Sequence, residues 1–200
     1  MTTAVVDRVW YVAYGSNLSV DRFRYYLRGG RPPGSRRTYP GCRDRTEPER
    51  TVPLVVRGSL SFTGASTAWG GGTAVFDPDG TGRVAAAAYL LGSGQLADVL
   101  AQEMRRDPGE DLDLQALGRE GRHRYGPGRY ETIVHLGGRD GLPLVTLTSE
   151  PFDDAPLNAP SDAYLRTMAT GLRETHGWGP DEVRSYLAAI PGIGEALLSS

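Results

Sequence analysis

One carboxylate stands out by its position. In Ser93-Gly94-Gln95-Leu96-Ala97-Asp98-Val99-Leu100-Ala101-Gln102-Glu103, residues Leu96, Val99, Leu100 and Glu103 fall at i, i+3, i+4 and i+7. A helix through about Arg105 therefore turns Glu103 toward the core, while Asp98 and Gln102 point elsewhere. An ionised carboxylate kept from water costs several kcal/mol unless it is paired, so its pKa rises toward neutrality, as suits a general acid and base. The same spacing also fits an acid at a frayed helix end that meets an arginine or water. A second feature lies near the N-terminus. The apolar run Val9 to Tyr14 leads into Gly15-Ser16-Asn17-Leu18 and then into an amphipathic helix. Gly15 supplies backbone freedom, and Ser16, Asn17 and Ser19 can satisfy the N–H groups that open the helix. Left free, those N–H groups would hold a carboxylate or phosphate. An ordinary strand-to-helix turn has the same composition.

Composition narrows the chemistry. The 200 residues carry a formal charge of −2, and all 22 basic residues are arginine. Without lysine there is no Schiff-base chemistry and no lysine-dependent phosphate loop. The arginine-rich stretch from Arg22 to Arg57 also holds Asp21, Asp44, Glu47 and Glu49, and so reads as a solvated mixed surface with no nucleic-acid partner. Cys42 is alone, so no internal disulfide can form and a reducing compartment is expected. Met1 to Asp7 lacks a basic region followed by an apolar run, and no stretch of about 18 apolar residues occurs. The expectation is a soluble, cytoplasmic protein with no membrane partner. A serine hydrolase built on Ser16 with His123, His135 or His176 as base is disfavoured, since no Gly-x-Ser-x-Gly elbow is present. Paired histidines at metal-ligand spacing are also missing, and no cofactor is implied.

The elements that must position these groups follow from periodicity. Val20 to Leu27 reads as a short helix, followed by an aperiodic connection at 29–50. Val52 to Phe62, Thr73 to Phe76 and Val84 to Leu91 read as strands of an antiparallel or mixed sheet. Ser93 caps the helix that carries Glu103, and 107–128 is polar and insertion-like. Tyr130 to Leu136 and Leu142 to Thr148 form a hairpin across Gly137-Gly138-Arg139-Asp140. In the helical C-terminal segment 160–200, Ser161 caps a helix that ends at Gly177, and a second begins at Pro180.

These residues resemble the γ-glutamylcyclotransferase-like family. Tyr11-Val12-Ala13-Tyr14-Gly15-Ser16-Asn17-Leu18 is similar to its signature, and Trp69-Gly70-Gly71-Gly72-Thr73-Ala74 to its Trp-x-Gly-Gly lead-in to a strand. Gln102-Glu103 matches the place of its catalytic glutamate, and Ala159-Pro160-Ser161 with Tyr164 its Pro-Ser-x-x-Tyr helix start. Where the family commonly has Asp three residues before the glutamate and Gly after it, this chain has Leu100 and Met104. The resemblance implies one α+β domain over 1–200, with a small, strongly curved, barrel-like mixed β-sheet and flanking helices. It implies a transferase or lyase activity that closes a γ-glutamyl amide or γ-glutamyl amino acid to 5-oxoproline and releases an amine. No metal or cofactor takes part. Glu103 would be the catalytic acid and base, and Tyr11, Val12, Ala13, Tyr14, Gly15, Ser16, Asn17 and Tyr164 would bind a small-molecule γ-glutamyl substrate. The alternative is a non-catalytic module of the same fold that binds such carboxylates.

Overall fold

The computed structural model describes residues 7–112, 121–150 and 155–193. Residues 1–6, 113–120, 151–154 and 194–200 fall outside it, and with them parts of the leader, insertion and C-terminal readings. Eight strands are described: β1 Arg8–Ala13, β2 Arg50–Arg57, β3 Ser59–Thr63, β4 Thr73–Asp77, β5 Arg83–Gly92, β6 Arg122–Arg124, β7 Thr132–Arg139 and β8 Leu142–Thr148. Four α-helices accompany them: α1 Val20–Arg28, α2 Ser93–Glu103, α3 Asp162–His176 and α4 Pro180–Ala188.

Six strands form one sheet in the order β2-β5-β1-β8-β7-β6. The most apolar strands lie in its middle, where both faces are covered. Val9, Trp10 and Val12 of β1 and Ala85 to Ala88 of β5 are buried, whereas β2 at one edge is exposed along most of its length. β1 runs antiparallel to β5 and parallel to β8, pairing Tyr11 with Tyr89 on one side and with Val145 on the other. The sheet is thus mixed, as expected. Among the described residues it is open, with β2 and β6 as its edges, so the sheet of this α+β fold does not close into a barrel. No helix among the described residues is long and apolar enough to cross a membrane.

Three local differences have clear causes. The run from Val52 to Phe62 is two strands, because Gly58 takes φ +148° and leads the chain out of the sheet into the separate β3–β4 ribbon. A Cβ at Gly58 would lie 2.4 Å from the Phe76 ring, so only glycine fits that corner. The β7–β8 hairpin turns at Asp140-Gly141, both at positive φ, as a two-residue turn that twists with its strands. Gly137 instead lies in an irregularity between His135 and Gly138. Finally, Gly92 rather than Ser93 caps α2, its N–H donating to Gln95 Oε1 at 3.1 Å.

Candidate active site

The C-terminal end of β1, the start of α1, the end of α2 and the start of α3 converge on one cavity. After β1, the chain makes a single 3₁₀ turn, Ser16–Leu18, before α1 begins. Ser19, not Ser16 or Asn17, caps α1 by accepting from Arg22 N–H. Tyr89 on β5 fixes the turn by donating its hydroxyl to Asn17 O at 2.7 Å. The helix α3 reaches the cavity because the lead-in to β4 is nearly free of side chains. Gly72 N–H donates to Ala159 O at 2.8 Å, and a Cβ on Gly72 would lie 1.9 Å from Asn158 O. Tyr164, in the first turn of α3, is thereby set over Gly15. Its hydroxyl accepts from Ser16 N–H at 3.3 Å, and a Cβ on Gly15 would come within 2.6 Å of that oxygen.

Glu103 is the last residue of α2 and lines this cavity. Protein surrounds it except where the cavity leaves part of its surface open. Asn17 Nδ2 donates to Glu103 Oε1 at 3.4 Å and also to the Tyr11 hydroxyl at 3.4 Å. Burial pushes the Glu103 carboxyl above its ordinary range, and the Tyr26 hydroxyl, Arg22, Arg37 and Asn17 oppose that rise. The Tyr164 hydroxyl, pushed up to about 12 by burial, stays a neutral donor across the physiological range. Tyr14 is likewise raised by burial, and its hydroxyl donates to Leu147 O at 2.7 Å.

Of the residues singled out from sequence, Tyr11, Ala13, Tyr14, Gly15, Ser16, Asn17, Glu103 and Tyr164 line the cavity together. Val12 does not. Strand alternation turns it to the opposite face of the sheet, where it is fully buried. The turn differs from the expected open row of amides, because the Ser16 N–H already has the Tyr164 hydroxyl as its acceptor. His123, His135 and His176 are absent from the cavity wall, so Ser16 has no imidazole base there. Asp98 and Gln102 are both buried, contrary to the helical wheel. The reason is the connection at 29–49, which packs along α2 and covers a further face. Asp98 accepts from Arg43 N–H at 2.8 Å and from Arg43 Nε at 3.0 Å, and Gln102 Nε2 donates to Tyr26 O at 3.0 Å.

Sequence reasoning passed over the cationic and aromatic part of the wall. Arg22 was placed on a solvated surface, yet it is only 4% exposed. Its guanidinium carbon sits 4.4 Å from the Tyr39 ring centre, 4.8 Å from that of Tyr26 and 5.5 Å from that of Trp69. Arg37, Arg105 and Arg129 complete the cationic lining. The signal for Arg22 was in the sequence, since Arg22, Phe23, Tyr26 and Leu27 make one buried face of α1.

Solved structures give the fold its relatives. A γ-glutamyl cyclotransferase superposes with a TM-score of 0.53 at 16% identity, covering 96% of this chain and 97% of that one. The fold is that of γ-glutamyl cyclotransferase. An uncharacterized human protein has the same architecture, with a TM-score of 0.54 at 15% identity over 97% of this chain and 99% of that one. No family model matches the sequence. Histone deacetylase 5 of Arabidopsis thaliana is 30% identical over 203 residues, which cover 92% of this chain. That match spans only 31% of the plant protein, so the chain corresponds to about a third of it. Within the γ-glutamyl cyclotransferase fold, the cavity at the end of the parallel β1–β8 pair holds Glu103, among the described residues the only carboxylate of its wall.

Proposed function

We propose that this chain is a γ-glutamyl cyclotransferase, converting a γ-glutamyl amide or γ-glutamyl amino acid into 5-oxoproline and a free amine. The observation that carries the reading is Glu103, a carboxylate lifted above its ordinary pKa inside a cavity that also presents neutral hydrogen-bond donors. The cavity volume is about 90 Å³. At roughly 10–15 Å³ per water-sized occupant, that volume takes the acyl half of such a substrate and leaves the departing amine toward the mouth.

The substrate carries its own nucleophile. Its α-amine attacks the γ-carbonyl carbon, a C–N bond forms to close the five-membered ring, and the bond to the leaving nitrogen then breaks. Holding amine and carbonyl in contact supplies much of the rate, since effective molarities reach about 10⁵ M or more. Glu103, as carboxylate, takes a proton from the α-ammonium so that the free amine can attack, and as carboxylic acid gives it to the departing nitrogen; the regenerated carboxylate then takes the second proton from the ring nitrogen and passes it to the released amine, which leaves as its ammonium. A carboxyl raised by burial suits both steps. The Tyr164 hydroxyl, which accepts from Ser16 N–H, is the neutral donor of the wall assigned to the developing oxyanion, and an arriving oxyanion can take up the long Ser16 N–H bond as well.

The test is release of 5-oxoproline from a panel of γ-glutamyl amino acids, γ-glutamylamines and glutathione. At least one member is expected to give 5-oxoproline and amine in equal amounts. If the panel binds but no member is turned over, the cyclotransferase reading fails and the fold serves here as a binding module.

A further inference from the structure

We propose that Arg22 is the carboxylate anchor of the cavity, holding the α-carboxylate of a γ-glutamyl ligand while Glu103 faces the neighbouring amine. The proposal rests on the γ-glutamyl reading above, but its test does not need turnover. Arg22 is a buried cation with unused capacity. Of its three guanidinium nitrogens, Nη2 donates to the Tyr39 hydroxyl, whereas Nε and Nη1 are buried without a partner. Among the described residues it belongs to no ion pair. Glu103 is close enough to attract it, yet the group that hydrogen-bonds the Glu103 carboxylate is Asn17. A guanidinium in this state is poorly solvated; Nε and Nη1 have almost no exposed surface, so an anion reaches them as the surrounding rings give way and then meets donors that no hydrogen bond of the protein occupies.

The surroundings fit a bound anion rather than a chance burial. The rings of Tyr26, Tyr39 and Trp69 hold the planar cation in one orientation and keep water from it, so its charge acts at low dielectric. Four arginines line the cavity against the single carboxylate of Glu103. The other three are engaged by neutral partners: Arg37 with Gln102 O, Arg105 with Thr67 Oγ1, and Arg129 with Ala65 O and Thr73 Oγ1. Arg22 has a neutral partner as well, the Tyr39 hydroxyl, but of these four it is the one whose remaining nitrogens are buried with their donors unused.

Geometry also selects which carboxylate it takes. Arg22 and Glu103 line the same cavity and are close enough to attract each other, with the Arg22 guanidinium seated over the Tyr26 ring. In a γ-glutamyl group the α-amine and the α-carboxylate share one carbon. A ligand that turns its amine to Glu103 must bring its α-carboxylate to the group beside Glu103, which is Arg22. This division leaves Ser16 N–H and the Tyr164 hydroxyl for the reacting carbonyl, a different role from the carboxylate site expected at that turn.

The experiment measures equilibrium binding of 5-oxoproline and of its amide, 5-oxoprolinamide, to wild type, Arg22→Gln and Arg22→Lys. The two ligands differ only in the group Arg22 is assigned to hold. Wild type is expected to prefer the acid on the order of 10–100-fold, the worth of charge-assisted hydrogen bonds. Arg22→Gln is expected to bind the two alike with its amide affinity unchanged, and Arg22→Lys to keep part of the preference. The proposal is overturned if wild type binds acid and amide equally, or if Arg22→Gln retains the preference. Should Arg22→Gln not fold, Arg22→Lys decides: selective weakening of acid binding supports the anchor, and equal weakening of both ligands overturns it. A full preference that depends on Arg22, together with no turnover of any γ-glutamyl compound, would refute the cyclotransferase reading alone.

Discussion

Glu103 and Arg22 face the same cavity with opposite charges, and neither neutralises the other. Glu103 binds its proton more tightly in the folded protein than in the unfolded chain. Its contribution to stability is therefore fully present below the ordinary glutamate pKa and is lost as pH rises toward the raised folded value. Replacing it by Gln, which keeps shape and hydrogen-bonding capacity, should remove that penalty. At pH 8, Glu103→Gln is expected to be the more stable of the two, seen as a higher Tm. The difference should shrink as pH falls and vanish only below the ordinary glutamate pKa of about 4.3, where the unfolded glutamate is protonated as well. Thermal scans of both proteins across that range check it, and a less stable Gln variant at pH 8 would mean that ionised Glu103 is well stabilised. Glu103 was legible in the sequence because three apolar neighbours fixed the face on which it lies. Arg22 carried an equally clear signal in Phe23, Tyr26 and Leu27. Reading the whole stretch by its charge hid it.

The elements around the site depend on close approach as much as on helix and strand propensity. Gly15 has no room for a side chain because Tyr164 stands over it, and Gly72 has none because the chain leading into α3 crosses it. A methyl group at Gly15 would displace the Tyr164 hydroxyl and meet Ala74 Cβ at 3.3 Å. Gly15→Ala is accordingly expected to lower turnover by about tenfold or more, comparable to Tyr164→Phe. The double variant should be little worse than either single one, since both remove the same contact. Steady-state kinetics on the three variants check this, and additive losses would separate the two residues. Helices α1, α3 and α4 were readable from caps and spacing, as were most strands from their β-branched and aromatic content. The connection at 29–49 was not. It has no period of its own, and its course is set by distant ties such as Arg43 to Asp98 and Arg24 to Glu47, which no local pattern encodes. Those ties also buried Asp98 and Gln102 and brought Arg37 and Tyr39 to the cavity wall.

At the scale of the whole molecule, the site exists because β1 is central. Its neighbours β5 and β8 come from chain segments far apart in sequence, and the parallel pairing of Tyr11 with Val145 joins the two halves of the sheet beneath the cavity. Each strand could be recognised alone, but their order could not, because pairing across more than a hundred residues leaves no local mark. The open sheet follows from the same arrangement, with Gly58 diverting β3 and β4 into a ribbon of their own. α2 brings Glu103 in from one side and α3 brings Tyr164 from another, so the chemistry depends on two helices held by one strand end. That dependence is tested most directly by single-turnover formation of 5-oxoproline from a γ-glutamyl amino acid, in wild type and in Glu103→Gln, with binding measured alongside. The account predicts a loss of about 10³-fold or more in the rate, with ligand affinity nearly unchanged. A Glu103→Gln enzyme that forms 5-oxoproline within about tenfold of the wild-type rate would contradict it.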